Sequence, residues 1–191
     1  MSNLPHSQWP PDCPYRGQAL ATAKFLEKMK TMRKQRGFSL IELLIVVAII
    51  LIIAAIAIPN LLRSRIAANE ASAVGTMRSI NTAEVTYAST YPDIGFSASL
   101  TTLGGAIPCS ASSTTACLVD EVVANSGTTP KSGYTFAYTP VAGGGVNVGY
   151  GVVGEPATRG QSGQRGFFTD QSGVIRYNAS AAATNASNPL Q

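Results

Sequence analysis

The chain has 191 residues, 13% of them charged, with a formal net charge of +4, which leaves room for one small domain with a modest core. Seven of the 14 Lys and Arg lie before residue 38 (Arg16, Lys24, Lys28, Lys30, Arg33, Lys34 and Arg36) against only Asp12 and Glu27, so that segment is strongly basic while residues 38–191 are close to neutral. The basic balance therefore gives no support to nucleic-acid binding by the main body, and with the single His at position 6 that body has no imidazole for Ser-His, Cys-His or metal-assisted catalysis, so no enzyme is expected.

Residues 1–28 are polar and broken by Pro5, Pro10, Pro11 and Pro14 around Trp9 and Cys13, with a short helix-compatible patch from Gln18 to Lys30. Met29 and Met32 each offer an alternative start, the second giving the compact leader Met32-Arg33-Lys34-Gln35-Arg36-Gly37. A misplaced start is the expectation and a genuine extended leader the alternative; either way the segment is set aside from fold reasoning.

Directly after Gly37 the character changes. From Phe38 to Ile58 only Ser39 and Glu42 are polar, and the run ends at Pro59. As a helix it measures roughly 31 Å, enough to cross a hydrocarbon core of about 30 Å. Lys30, Arg33, Lys34 and Arg36 hold its start on the cytoplasmic side by the positive-inside rule. Two plainer readings compete. A secretory signal peptide would use Ala55-Ile56-Ala57 as its cleavage site, but the apolar run exceeds the usual 7–15 residues and Glu42 is out of place in it. A simple anchor for a periplasmic binding or enzymatic domain explains the length and gives Glu42 no task.

Gly37-Phe38-Ser39-Leu40-Ile41-Glu42, behind a basic leader and ahead of Pro59, resembles the processing site of type IV prepilins and of the related pseudopilins of type II secretion. The resemblance implies that an aspartyl prepilin peptidase and methyltransferase cuts between Gly37 and Phe38 and methylates the new amino terminus. Glu42 then becomes the fifth mature residue, needed for assembly, and Pro59 the twenty-second, where the family also tends to carry a Pro. It implies a subunit that sits in the inner membrane as a single span with its N-terminus in the cytoplasm. That subunit is passed by inner-membrane assembly machinery into an extracellular homopolymer of pilin subunits. No cofactor and no metal are implied.

The physics of that site is simple. A carboxylate in a bilayer costs a few kcal/mol at the centre and less near an edge. In a filament, neighbouring helices replace lipid, and the natural partner of Glu42 is the free amine that cleavage creates on Phe38 of an adjacent copy. At ~4 Å and an effective dielectric of ~20 the pair attracts by about 4 kcal/mol before desolvation is charged against it. It therefore sets register, while the aliphatic rows supply cohesion. Cys13 falls before the cut, so Cys109 and Cys117 remain as an even pair in an exported domain. A disulfide is the default in an oxidising compartment, with two buried thiols as the alternative.

The expected organisation is a leader over 1–37, an assembly helix over 38–59, its amphipathic continuation over 60–91, and a globular head over 92–191. Pro59 is expected to kink or locally melt the helix. Beyond it, Ile66, Ala73, Met77, Ile80 and Tyr87 make one apolar stripe that needs a sheet to cover it, with Arg65, Ala68, Ser72 and Ser79 on the other face and a bend at Gly75. Arg63 and Arg65 read as interface or inter-subunit charges. Tyr91-Pro92 ends the helix.

Residues 92–130 read as an irregular connection, with a short helix at Leu118–Ala124 that turns Leu118, Val122 and Val123 inward. From Gly133 the period becomes two. Tyr134, Phe136 and Tyr138 alternate along one strand, Gly143-Gly144-Gly145 turns into Val146–Val153, and Gly166–Asp170 with Val174–Tyr177 forms a tight hairpin. Three or four antiparallel strands on a long helix give an α+β class. The tail from Asn178 is read as loose; Asn178-Ala179-Ser180 and Asn185-Ala186-Ser187 match the N-glycosylation pattern. Asp120 and Glu121 read as a solvated face and Asp170 as a turn residue. Major pseudopilins carry a calcium loop rich in carboxylates near the C-terminus, and Glu155 with Asp170 is too sparse a set for it. That departure favours a pilin over a pseudopilin.

Overall fold

A computed structural model describes residues 37–190. The readings made on residues 1–36, including the leader, its helical patch, His6 and Cys13, lie outside the described residues. The chain divides into two compact units between Leu51 and Ile52. In the first, Gly37, Phe38 and Ser39 are non-helical and helix α1 begins at Leu40, with the amide of Leu43 donating to the Ser39 carbonyl at 3.2 Å.

Helix α1 spans Leu40–Thr90, 51 residues, and runs through Pro59 and Gly75 without interruption. A Cβ on Gly75 would meet nothing within 4 Å, so this Gly answers no local crowding. In the second unit the stripe is real: Ala73, Met77, Ile80 and Tyr87 are buried, joined by Val74, Thr76 and Ala83. They pack on a five-stranded antiparallel meander in the order β1-β2-β3-β4-β5: β1 Tyr134–Gly143, β2 Val146–Pro156, β3 Gly166–Asp170, β4 Arg176–Asn178 and β5 Asn188–Pro189. Tyr134, Phe136, Tyr150, Val152 and Phe167 are fully buried beneath the helix, the inward half of the period-two pattern. The protein is α+β, as the patterning requires.

The β1–β2 turn shows why its glycines are there. Gly144 and Gly145 have φ of +65° and +91°, the left-handed pair of a two-residue hairpin that L side chains resist. The register then runs from Gly143↔Val146 to Tyr134↔Pro156, with an irregularity between Val141 and Ala142.

Three readings of the head are corrected. The tail is not loose: β5 pairs with β4, the Leu190 amide donates to the Ile175 carbonyl at 2.7 Å, and Ala183 is only 1% exposed. Small residues let this segment lie close against β3, where a Cβ on Gly166 would meet the Ala181 carbonyl. The connection also contains a helix α2 at Leu100–Leu103, capped by Ser99, whose two leucines seal the core. The helix expected at Leu118–Ala124 shrinks to α3, Glu121–Ala124, because Asp120 caps it by accepting from the Val123 amide at 2.6 Å. With one turn only, Val123 and Ala124 point in while Leu118 and Val122 stay exposed.

Candidate functional site

The first candidate site is the start of α1. Gly37 and Phe38 lie in non-helical backbone and are exposed, Phe38 by 81%. The bond between them thus lies outside the helix. Glu42 sits in the first turn, where the helix dipole favours a negative charge, and makes no ion pair among the described residues. After it come rows of exposed aliphatics; Leu40, Leu43, Leu44, Val47, Ala48 and Leu51 line a shallow apolar groove of about 410 Å³. The helix contains a stretch long and apolar enough to cross a membrane, none of it buried. At about 25 cal/mol per Å², so large an apolar surface demands lipid or other helices around it.

Residues 32–58 match the family model of the prokaryotic N-terminal methylation motif. The chain carries a prepilin-type N-terminal segment. The chain is also similar to the type IV wide pilus major component PilA4 of Thermus thermophilus, 64% identical over 39 residues, which are 20% of this chain and 30% of that protein. The chain is thus aligned to less than a third of the curated relative it matches. No solved structure matches. Both similarities support the type IV pilin family and a pilin subunit, and each covers only a small part of the chain.

The head contributes a second set of residues, which fix how helix and sheet register. Glu70, Asn81 and Glu84 are polar, yet they lie on the buried side of α1. Glu70 is 6% exposed; its carboxylate accepts from the backbone amides of Gln164 (2.9 Å) and Arg165 (3.0 Å) and from Arg165 Nε (2.8 Å). Burial acts to raise the carboxyl pKa, and the two amides and the guanidinium more than offset it, leaving Glu70 below its ordinary value. The Arg165 guanidinium lies 5.6 Å from the ring centroids of both Phe167 and Tyr177. Asn81 Nδ2 donates to Thr169 Oγ1 (2.9 Å), and its Oδ1 accepts from the Tyr150 hydroxyl (3.0 Å).

Glu84 is fully buried and accepts from the Ser97 amide (3.0 Å) and the Ser97 hydroxyl (2.6 Å). Ser97 in turn accepts at its carbonyl from the Tyr138 hydroxyl at 2.9 Å. Burial first, and the nearby Glu84 charge as a further cause, push the Tyr138 and Tyr150 hydroxyls well above the usual tyrosine value, and burial does the same to Tyr134. These groups pin the head; the prepilin-type segment contributes none of them.

Sequence reasoning missed this set. A signal was present: 66, 70, 73, 77, 80, 84, 87 alternates steps of four and three, so Glu70 and Glu84 belong to the apolar stripe by spacing. The partner Arg165 lies 95 residues away and no local pattern points to it.

Cys109 and Cys117 are joined in a disulfide with Cα atoms 6.1 Å apart. Asp120 and Glu121 are both exposed, a solvated face as expected, and Asp120 also caps α3 and faces Lys131 at 3.9 Å. Asp170 accepts from the Ser172 amide in the β3–β4 turn, at 2.9 Å.

Proposed function

We propose that the chain is a structural subunit of a type IV pilus, cut between Gly37 and Phe38, methylated on Phe38, and polymerised through α1 into a surface filament. One observation carries the reading: an exposed aliphatic rod begins directly after Gly37 and carries one carboxylate, Glu42, in its first turn. A rod of this kind is insoluble alone. It has two stable surroundings, a bilayer and a bundle of its own copies, and removal of the basic leader is the step that releases it from the first to the second. In the bundle, Glu42 of one copy pairs with the Phe38 amine of the next, and a copy out of step leaves two unpaired charges in an apolar core. Pro59, which lacks a backbone donor, is the point where the rod is able to bend as it packs.

The description of the Thermus relative as a major pilus component supports a structural role for the shared segment rather than an enzymatic one. Before assembly, residues 38–58 span the inner membrane, N-terminus inside, with the head outside.

The test is N-terminal sequencing and intact mass of material sheared from the cell surface. A methylated Phe38 start is expected. An unprocessed leader, or the mature chain confined to the periplasm, would overturn the reading, the latter turning it towards a pseudopilin.

A further inference from the structure

The head carries a groove of about 660 Å³ beside the stretch of α1 that directly follows the span, within the size range of small-ligand sites. Leu62, Arg65 and Ile66 form its helix side, and Ser132, Gln161 and Ser162 belong to the facing loops. Those walls are fixed before anything binds. Asn69 Nδ2 donates to the Ser162 carbonyl at 2.8 Å, the Ser72 and Ser132 hydroxyls bond at 3.0 Å, and the Thr158 amide donates to Ser162 Oγ at 3.0 Å. Gly133, with φ +75°, packs so closely on Ser162 that a Cβ there would lie 2.8 Å from the Ser162 Cβ. Of the residues lining the groove, Arg65 alone is charged; it is exposed and makes no ion pair among the described residues.

Its position along the helix names the occupant. Leu62 lies about 6 Å and Arg65 about 10 Å beyond Ile58 at 1.5 Å per residue. The polar zone of a bilayer leaflet extends roughly 5–7 Å past the hydrocarbon edge. With residues 38–58 in the hydrocarbon, Leu62 sits among headgroups, and the Arg65 side chain reaches them from just outside. We propose that this groove holds the headgroup of an anionic phospholipid from the outer leaflet of the inner membrane. Arg65 pairs with the phosphate, the Ser132 hydroxyl and the Gln161 side chain meet the polar headgroup, and Leu62, the lining residue nearest the hydrocarbon, lies towards the acyl chains. The head is thereby seated on the membrane until the subunit is withdrawn into a filament. The inference rests on the span assigned under Proposed function.

The experiment uses the full chain in nanodiscs of phosphatidylcholine alone or with phosphatidylglycerol added, read by amide hydrogen exchange over residues 158–163. Exchange there is expected to slow about fivefold when phosphatidylglycerol is present, the worth of one arginine at an anionic surface. Arg65→Gln is expected to abolish the difference. Arg63→Gln, which removes an equal charge outside the groove, is expected to keep it. Inserted protein with no lipid dependence would overturn this inference and leave the span reading standing. An equal loss with Arg63→Gln would reduce the effect to diffuse surface charge and overturn the site. Equal protection by soluble glycerol phosphate in phosphatidylcholine discs would make it a site for free anions, against the lipid. Failure of the chain to enter discs would sink the span and this inference together.

Discussion

Replacing Glu70 with Ala removes the acceptor of three hydrogen bonds that tie α1 to the loop before β3. The Gln164 and Arg165 amides lose their acceptor, and the Arg165 guanidinium loses its counter-charge. Hydrogen bonds to a charged group contribute about 1.5–3 kcal/mol each when intact. The Glu70 side chain is 8% exposed but that of Arg165 is 38% exposed, so water recovers part of the ionic loss. The net cost is about 2–3 kcal/mol, which for a head of this size lowers Tm by roughly 6–12 °C. Glu70→Gln keeps an oxygen for the two amides and gives up only the charge, so it should lose about 1 kcal/mol.

The pH dependence follows from the lowered carboxyl pKa of Glu70. Its contribution is complete above the ordinary carboxylate value near 4.3 and disappears as pH falls through the lower folded-state value. Wild type should therefore lose stability on acidification below about pH 4 more steeply than Glu70→Gln. Thermal unfolding of the full chain in detergent micelles, followed by circular dichroism at neutral and acid pH, measures all three. Should Glu70→Ala melt with wild type, or Glu70→Gln fall as far as Glu70→Ala, the bonding scheme is wrong.

Glu42→Gln should leave the head folded and the chain processed but prevent filaments of regular stagger, as seen by electron microscopy of sheared material. The double change Cys109→Ser and Cys117→Ser opens a short loop and should cost about 2–3 kcal/mol, read in the same melting assay. Ending the chain after Asn178 removes β5 and uncovers the site filled by Ala183 and Leu190; a loss of about 2 kcal/mol is expected, and an unchanged Tm would return the tail to a loose appendage. Tyr138→Phe deletes the hydroxyl that donates to the Ser97 carbonyl, at about 1 kcal/mol. Because the buried Tyr138 and Tyr150 hydroxyls are held above their ordinary value, folding stability is full below pH ~10 and falls as pH rises past it, which alkaline titration by tyrosine absorbance checks.

The long helix, the exposed rod and the order of the main strands were legible because each is set by neighbours in sequence. A run from Phe38 to Ile58 with two polar residues has one secondary structure compatible with an apolar medium, a helix. Alternating Tyr134, Phe136 and Tyr138 can share a face only as a strand. Paired glycines at 144 and 145 accept the left-handed turn that joins the strands. The weight of the Gly37–Glu42 motif has the same origin, since its residues act within one turn of each other.

What local order cannot supply is a partner. Glu70 and Glu84 lie in the spacing of the apolar stripe, yet their burial is tolerable only because Arg165, Gln164 and Ser97 arrive from elsewhere in the chain. Burying a carboxylate costs several kcal/mol unless its oxygens are satisfied, and the satisfying donors are chosen by the fold. The tail obeys the same logic. An Ala- and Ser-rich segment has no drive of its own to be a strand, and residues 188–189 become β5 because β4 leaves an open edge for them. Sequence alone decided where this protein is apolar and where its long helix and main strands run; tertiary structure decided which of its polar groups are sheltered, because shelter is a property of pairs brought together from far apart.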